Sequence, residues 1–259
     1  MIKRHDLPLH GLRLWVTRPA AQAADLSLAL AEQGADVVAF PLLDIAPPLD
    51  PLPLQQALAR LSDYDLAIFI SPSAIEAVFA VMTEPWPNSL AAAVIGPGSA
   101  KRAAELGIQQ LIYPASQFDS EGLLAMPQMQ QLAGQRVVIF RGQGGRELLP
   151  HALTAAGAQV QLISAYQRLA PSWNASELLT QLAHGCDGLI VSSSEAAQHL
   201  FHLGGEQAQL KLQSVQYFAP HPRIISALQA KGALHTVLTD AGDLGITRSI
   251  CQHFGQPHL

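Results

Sequence analysis

The chain repeats itself, and that repeat limits the folds open to it. Arg13 Leu14 Trp15 Val16 Thr17 Arg18 Pro19 is answered by Arg136 Val137 Val138 Ile139 Phe140 Arg141 Gly142. The spacing from Arg18 to Arg141 then carries Leu26 to Leu149, Leu30 to Leu153, Gly34 to Gly157, Ala35 to Ala158 and Val37 to Val160. In each copy a short apolar run ends in arginine, an apolar helical face follows, and a glycine stops the helix before the next β-rich run. Each copy therefore predicts a strand, a helix and a second strand. Another module also occurs twice, Asp65 Leu66 Ala67 Ile68 Phe69 Ile70 Ser71 Pro72 Ser73 matching Asp187 Gly188 Leu189 Ile190 Val191 Ser192 Ser193 Ser194. Both end a buried strand in serines and open a helix; Ser73 with Glu76, and Ser192 with Glu195, have capping-box spacing. Further on, Ala93 Val94 Ile95 Gly96 Pro97 is echoed by Gln216 Tyr217 Phe218 Ala219 Pro220, so the repeat spans almost the whole chain.

Strands alternating with helices of about a dozen residues predict parallel sheets covered on both faces, hence small doubly wound α/β domains. The 259 residues suffice for one large domain or two, and a duplicated pattern favours two lobes with a cleft between them. Forty-nine per cent apolar and 14 per cent charged residues supply packed cores. The net charge of −5, with fifteen Lys and Arg, excludes broad attraction to nucleic acid. No apolar run approaches the roughly 18 residues of a membrane span, and the start Met1 to Pro19 is broken by charge and proline, so a soluble cytoplasmic protein is expected. Cys186 and Cys251 have neither CxxC nor metal-site spacing and read as reduced, partly buried thiols.

In parallel sheets ligands bind beyond the carboxyl ends of the strands. The polar residues there are Thr17 and Arg18, Ser71 and Ser73, then Gly96, Gly98 and Ser99. The second copy adds Arg141, Gly142, Gly144, Gly145 and Arg146, then Ser192, Ser193 and Ser194, and finally Arg223. Amide hydrogens at helix N-termini, capping hydroxyls and a few arginines suit carboxylates or phosphates. A single serine at such a place reads as ordinary helix capping; recurrence at equivalent strand ends points to a ligand.

Catalytic signatures are scarce. Gly96 Pro97 Gly98 Ser99 Ala100 Lys101 has lysine where a dinucleotide fingerprint needs its third glycine, and Gly142 Gln143 Gly144 Gly145 Arg146 lacks the Lys-Ser/Thr ending of a P-loop, so neither NAD nor ATP is expected. The ten histidines, with His199 and His202 three apart on a helix and His184, His221, His235 and His253 isolated, read as solvent-facing side chains, and no metal or other cofactor is expected. No nucleophile elbow appears. Tyr166, closing the second strand-helix-strand copy, suits either packing or catalysis.

These residues resemble the uroporphyrinogen-III synthase family, from about Leu14 to the last helix. The resemblance rests on Val16 Thr17 Arg18 Pro19, Gly34 Ala35, Pro41 Leu42 Leu43 Asp44 Ile45, Phe69 Ile70 Ser71 Pro72 Ser73 Ala74, Ile95 Gly96 Pro97 Gly98 Ser99 Ala100, Arg141 Gly142, Arg146 Glu147 Leu148 Leu149, and Tyr166, in that order and spacing. It implies two flavodoxin-like doubly wound parallel-sheet domains joined by a two-stranded ladder, with an interleaved chain path. Domain one then takes residues 1–40 plus 169–259, and domain two the inserted 41–168. The crossings fall near Phe40 to Ile45 and Ile163 to Arg168, narrow enough for hinge-like opening.

The family's substrate is hydroxymethylbilane, a linear tetrapyrrole bearing acetates and propionates, which accounts for an anion-binding set. Loss of the hydroxyl from the terminal hydroxymethyl group gives an azafulvene cation; a spiro intermediate then precedes inversion of ring D and closure, so the enzyme chiefly positions its substrate. The resemblance assigns Tyr166 a hydrogen bond or proton to the leaving hydroxyl. Ser99 matches a Thr or Ser of the family's Gly-Pro-x-Thr loop, and Ser71, Ser73, Ser193 and Ser194 fall at its substrate-facing loops; Arg18, Gly98, Arg141, Gly142 and Arg146 complete the expected substrate-binding set from their places at strand ends. Ala219 Pro220 His221 Pro222 Arg223 departs from the family's Gly-Pro-x-Thr pattern, which puts Arg223 in place of a hydroxyl. A monomer is expected, and transient contact with hydroxymethylbilane synthase stays open. Two alternatives remain: a non-catalytic two-domain clamp for a small polyanion, and a nucleotide-dependent transferase.

Overall fold

The computed structural model describes residues 7–171 and 173–255. Positions 1–6, 172 and 256–259, assigned above to domain one, lie outside the described residues. In chain order the elements are β1 (Arg13–Val16), α1 (Ala20–Glu32), β2 (Asp36–Ala39), β3 (Asp44–Ala46), α2 (Leu52–Leu58), β4 (Leu66–Phe69), α3 (Pro72–Val81), β5 (Ala91–Val94), α4 (Pro97–Glu105), β6 (Leu111–Ile112) and α5 (Ser120–Leu124). They continue with β7 (Arg136–Gly142), α6 (Leu148–Ala155), β8 (Gln159–Leu169), α7 (Ala175–Ala183), β9 (Gly188–Ile190), α8 (Ser194–Ser214), β10 (Gln216–Ala219), α9 (Pro222–Ala230), β11 (His235–Leu238) and α10 (Asp243–Gly255). The chain divides into two compact units, between Asp44 and Ile45 and again between Arg168 and Leu169.

The unit made from the two ends of the chain holds a five-stranded sheet, ordered β11-β10-β9-β1-β2. All its strand pairs are parallel. Because side chains alternate across a strand, Trp15, Leu189, Tyr217 and Ala219 enter the core on one face. Leu14, Val16, Ile190 and Phe218 enter that on the other. Both faces are covered, as a parallel sheet requires.

The central unit holds a six-stranded sheet, ordered β3-β8-β7-β4-β5-β6, with parallel pairing from β8 through β6. All four residues of β4 are buried, Ala67 and Phe69 on one face and Leu66 and Ile68 on the other. Phe69 stacks on Phe140 of the neighbouring β7 with centroids 5.2 Å apart. Burial of each such ring contributes about 1.5–3 kcal/mol.

The repeat persists in atomic detail. The Arg13 amide donates to Asp187 Oδ2 at 2.7 Å, and the Arg136 amide to Asp65 Oδ2 at 2.7 Å. Gly34 and Gly157, which end α1 and α6, have φ of +98° and +89°, a conformation that L side chains resist.

The helix starts differ from the capping boxes expected at Ser73 and Ser192. Pro72 occupies the first helical position of α3, where a missing N–H is harmless, so the cap moves back to Ser71, whose Oγ accepts from the Ala74 amide at 3.2 Å. Ser73 is inside the helix and buried. Ser193, in extended conformation, caps α8 by accepting from the Ala196 amide at 3.0 Å, which frees Ser192 for another partner. The helical geometry of α8 is interrupted at Gly205 (φ +52°).

Candidate active site

In the central unit the carboxyl ends of β4, β7 and β8 bring Ser71, Gly142 and Tyr166 together. Pairing of β7 with β8 runs in register from Arg136 opposite Gln159 to Arg141 opposite Ser164, then slips, setting Gly142 opposite Tyr166. The slip leaves Ala165 as an extra residue, and Ala165 and Tyr166 are both buried although adjacent. A bulge of this kind re-aims a side chain, and here it lays the Tyr166 ring over Gly142. A Cβ built on Gly142 would stand 2.8 Å from Tyr166 Cζ. The absence of a side chain is therefore what admits the ring.

Tyr166 is only 1 % exposed. Its hydroxyl lies 3.0 Å from Ser71 Oγ, and Arg168 Nη2 donates to it at 3.1 Å. The Arg168 guanidinium also stands over the Tyr166 ring, 5.5 Å from its centroid. Residues two apart on a strand share a face, so the spacing of Tyr166 and Arg168 is a signal readable in the sequence.

Of the other expected residues in this unit, Ser99 and Ser73 are buried, and Gly98 is exposed in the first turn of α4. Arg141 is buried and turned into its own loop: its Nε donates to the Gly144 carbonyl at 2.9 Å and its Nη1 pairs with Glu147 at 2.9 Å. Arg146 is half exposed and ion-paired with Glu121 of α5. That bond, the largest cause, holds the Glu121 carboxyl below its ordinary range. A depressed carboxylate stabilises the fold above its unfolded pKa and loses that contribution as pH falls through its folded one. With both side chains more than a third exposed, Glu121→Gln is expected to cost less than about 1 kcal/mol near pH 7. Urea melts should show the difference shrink as pH falls below the ordinary glutamate range and through the lowered folded value.

In the unit built from the chain ends, Arg18 at the end of β1 donates to Ser192 Oγ at 3.0 Å and pairs with Asp243 of α10 at 2.6 Å. Asp243 went unrecognised in the sequence because nothing local links it to Arg18. Ser194 donates to the Arg223 carbonyl at 3.4 Å, and the Arg223 side chain is exposed. His221 caps α9 by accepting the Arg223 amide on Nδ1 at 3.1 Å, and His253 packs edge-on against Phe218 at 5.3 Å. These two histidines have structural work, against the expectation that all face solvent.

No cluster of three potential metal ligands occurs among the described residues. Burial pushes the free Cys186 thiol up to about 12, which keeps it protonated and unreactive. No helix among the described residues is long and apolar enough to cross a membrane. Two surface hollows, about 290 and 630 Å3, are lined by Arg136 and Gln159 and by Arg13 and Asp36 respectively, at the amino ends of strands. They lie at the opposite end of each sheet from Tyr166 and Arg18, and ligands of parallel sheets bind at the carboxyl end.

Residues 24–239 match the family model described as uroporphyrinogen-III synthase HemD. The uroporphyrinogen-III synthase of Escherichia coli is 32 % identical over 196 residues, covering 74 % of this chain and 80 % of that one. That of Synechococcus elongatus is 36 % identical, covering 73 % of each. Among solved structures, the uroporphyrinogen-III synthetase of Helicobacter pylori aligns over 93 % of this chain and 98 % of its own with a TM-score of 0.58 at 14 % identity. A mutant uroporphyrinogen III synthase from Thermus thermophilus aligns over 93 % and 100 % with a TM-score of 0.57 at 16 % identity. At those identities the structures speak for the fold alone.

Proposed function

Because the chain belongs to the uroporphyrinogen-III synthase family, we propose that it closes hydroxymethylbilane to uroporphyrinogen III with ring D inverted and water lost, and that Tyr166 assists departure of the hydroxyl. Family membership makes it an enzyme of tetrapyrrole biosynthesis, a lyase that cyclises its substrate. The observation that carries the role of Tyr166 is its hydroxyl, held between Ser71 and Arg168 at the carboxyl end of a parallel sheet. Two defined partners orient an otherwise freely rotating phenol, and orientation is the larger part of positional catalysis.

The proposed binding set keeps the residues named from the sequence and divides them by what each has to offer. Arg223 and Gly98 are exposed, and Ser71, Ser193 and Ser194 are half exposed; these can meet the substrate as they stand, whereas Arg146 first gives up Glu121. Arg18, already shared between Ser192 and Asp243, meets an anion by exchanging a partner. Arg141, Gly142, Ser73 and Ser99 are buried and support the loops that carry the others.

The flavodoxin-like reading, with domains 1–40 plus 169–259 and 41–168 joined by a two-stranded ladder, is part of the same proposal. Its support is strand order. Numbered along the repeat, β2-β1-β9-β10-β11 and β8-β7-β4-β5-β6 both follow the 2-1-3-4-5 order of flavodoxin. We place the enzyme in the cytoplasm as a monomer that takes its labile substrate by transient contact with hydroxymethylbilane synthase. Elution as one chain at micromolar concentration fits that reading, and a stable dimer rejects the monomer.

The test is direct: supply freshly made hydroxymethylbilane, oxidise the products and resolve the isomers. An excess of the type III over the spontaneous type I product supports the synthase, whereas only type I refutes it and leaves a polyanion clamp.

A further inference from the structure

The hydrogen-bond directions around Tyr166 point to Ser71, and not the tyrosine itself, as the group that hands a proton to the ligand, with Arg168 as the residue that polarises the pair. This rests on Tyr166 being the acid of the proposed function and names the route by which its proton leaves. Tyr166 is 1 % exposed, so a ligand arriving at this surface meets half-exposed Ser71 and Arg168 first.

The directions follow from what each group can do. A guanidinium only donates, so the bond from Arg168 Nη2 at 3.1 Å makes the phenol oxygen an acceptor. The phenol hydrogen is enclosed, and leaving a buried donor unpaired is costly; Ser71 Oγ at 3.0 Å is the acceptor within reach. Ser71 Oγ also accepts the Ala74 amide at 3.2 Å. With both acceptor positions of Ser71 engaged, its own hydrogen is left to point outward. The chain therefore runs one way, from Arg168 through Tyr166 and Ser71 to whatever lies above.

In the proposed reaction the carbon-oxygen bond of the hydroxymethyl group breaks, and the departing oxygen takes the Ser71 hydrogen and leaves as water. Ser71 takes the Tyr166 proton. The electron pair of the broken bond leaves with the water, the carbon becomes the azafulvene cation, and the phenolate is held by the Arg168 guanidinium. When ring closure releases a proton from the cyclised cation, it returns along the same path and restores Tyr166, so that water is the net loss. Arg168 is a positioning residue throughout.

The experiment measures kcat and KM for the full chain on hydroxymethylbilane, spontaneous closure subtracted, for Ser71→Ala, Ser71→Thr, Arg168→Met and Tyr166→Phe, and for the first and third each combined with Tyr166→Phe. Ser71→Ala and Arg168→Met are expected to lower kcat by about tenfold or more, Arg168→Met with KM nearly unchanged, and to cause no further loss of kcat in the Tyr166→Phe background. Ser71→Thr, which keeps both cap and hydroxyl, is expected to retain most of the rate. Equal losses in the tyrosine and phenylalanine backgrounds overturn the relay, as does an active Ser71→Ala. If Ser71→Ala fails to fold for want of its cap, Arg168→Met and its double variant decide by the same criterion. A slow Tyr166→Phe beside a fully active Ser71→Ala removes the relay alone, whereas an unimpaired Tyr166→Phe removes the tyrosine as acid and the relay with it.

Discussion

Tyr166→Phe is expected to slow formation of the type III isomer by about a hundredfold while the protein stays folded. The change deletes one oxygen and leaves the ring, which packs in the same core as Phe69, Phe140 and Ile163. The groups that lose a partner are Ser71 and Arg168, both half exposed and able to turn to water, so the stability cost is about 1 kcal/mol. Stopped assays with chromatographic separation should show the type I fraction rising toward that of spontaneous closure. A variant as fast as the parent would mean that the substrate loses its hydroxyl without this residue.

Gly142→Ala is expected to match that loss of activity and, unlike Tyr166→Phe, to lower stability by about 1–3 kcal/mol. The new methyl would stand 2.8 Å from Tyr166 Cζ, 2.9 Å from Cε2 and 3.0 Å from Oη, distances at which the ring must move. The bulge that places the ring over Gly142 offers little slack, because the Gln143 amide bonds the Tyr166 carbonyl at 2.9 Å and fixes the backbone on both sides. Displacing the ring also breaks its bonds to Ser71 and Arg168. In the Tyr166→Phe background the stability loss should persist, since Cζ and Cε2 remain, while activity should fall no further. Calorimetry and the isomer assay on the single and double variants separate the two effects; a parent-like melting temperature would show that the ring has room to spare.

Much of the architecture was legible because it is written locally. Continuous apolar runs such as Leu66 to Phe69 and helical faces such as Leu26 and Leu30 depend only on residues a few positions apart, and each of these side chains is buried. The helix stops at Gly34 and Gly157 were readable for the same reason. The spacing of Ser73 and Ser192 to a glutamate does not locate the caps, which fall on Ser71, just before Pro72, and on Ser193. Arg141 was grouped with the anion donors from its place in the repeat, although its guanidinium is committed to Gly144 and Glu147. A motif tells which residue stands at a strand end, not which way its side chain turns.

By itself, then, the sequence determined the class of fold, the doubling of its modules and the family, all of which reside in local periodicity, order and spacing. Only the tertiary structure decided how the modules are shared out. The strand that opens the first copy pairs with the second copy's serine module, Leu14 opposite Gly188, and the first copy's serine module pairs with the strand that opens the second, Leu66 opposite Val137. Two similar copies fit either exchange equally well as strings, and packing chooses between them. The same holds for the hydroxyls of Ser71 and Tyr166, 95 positions apart in the chain and 3.0 Å apart in space: their meeting depends on sheet register and on one bulge, neither of which is a property of any short segment.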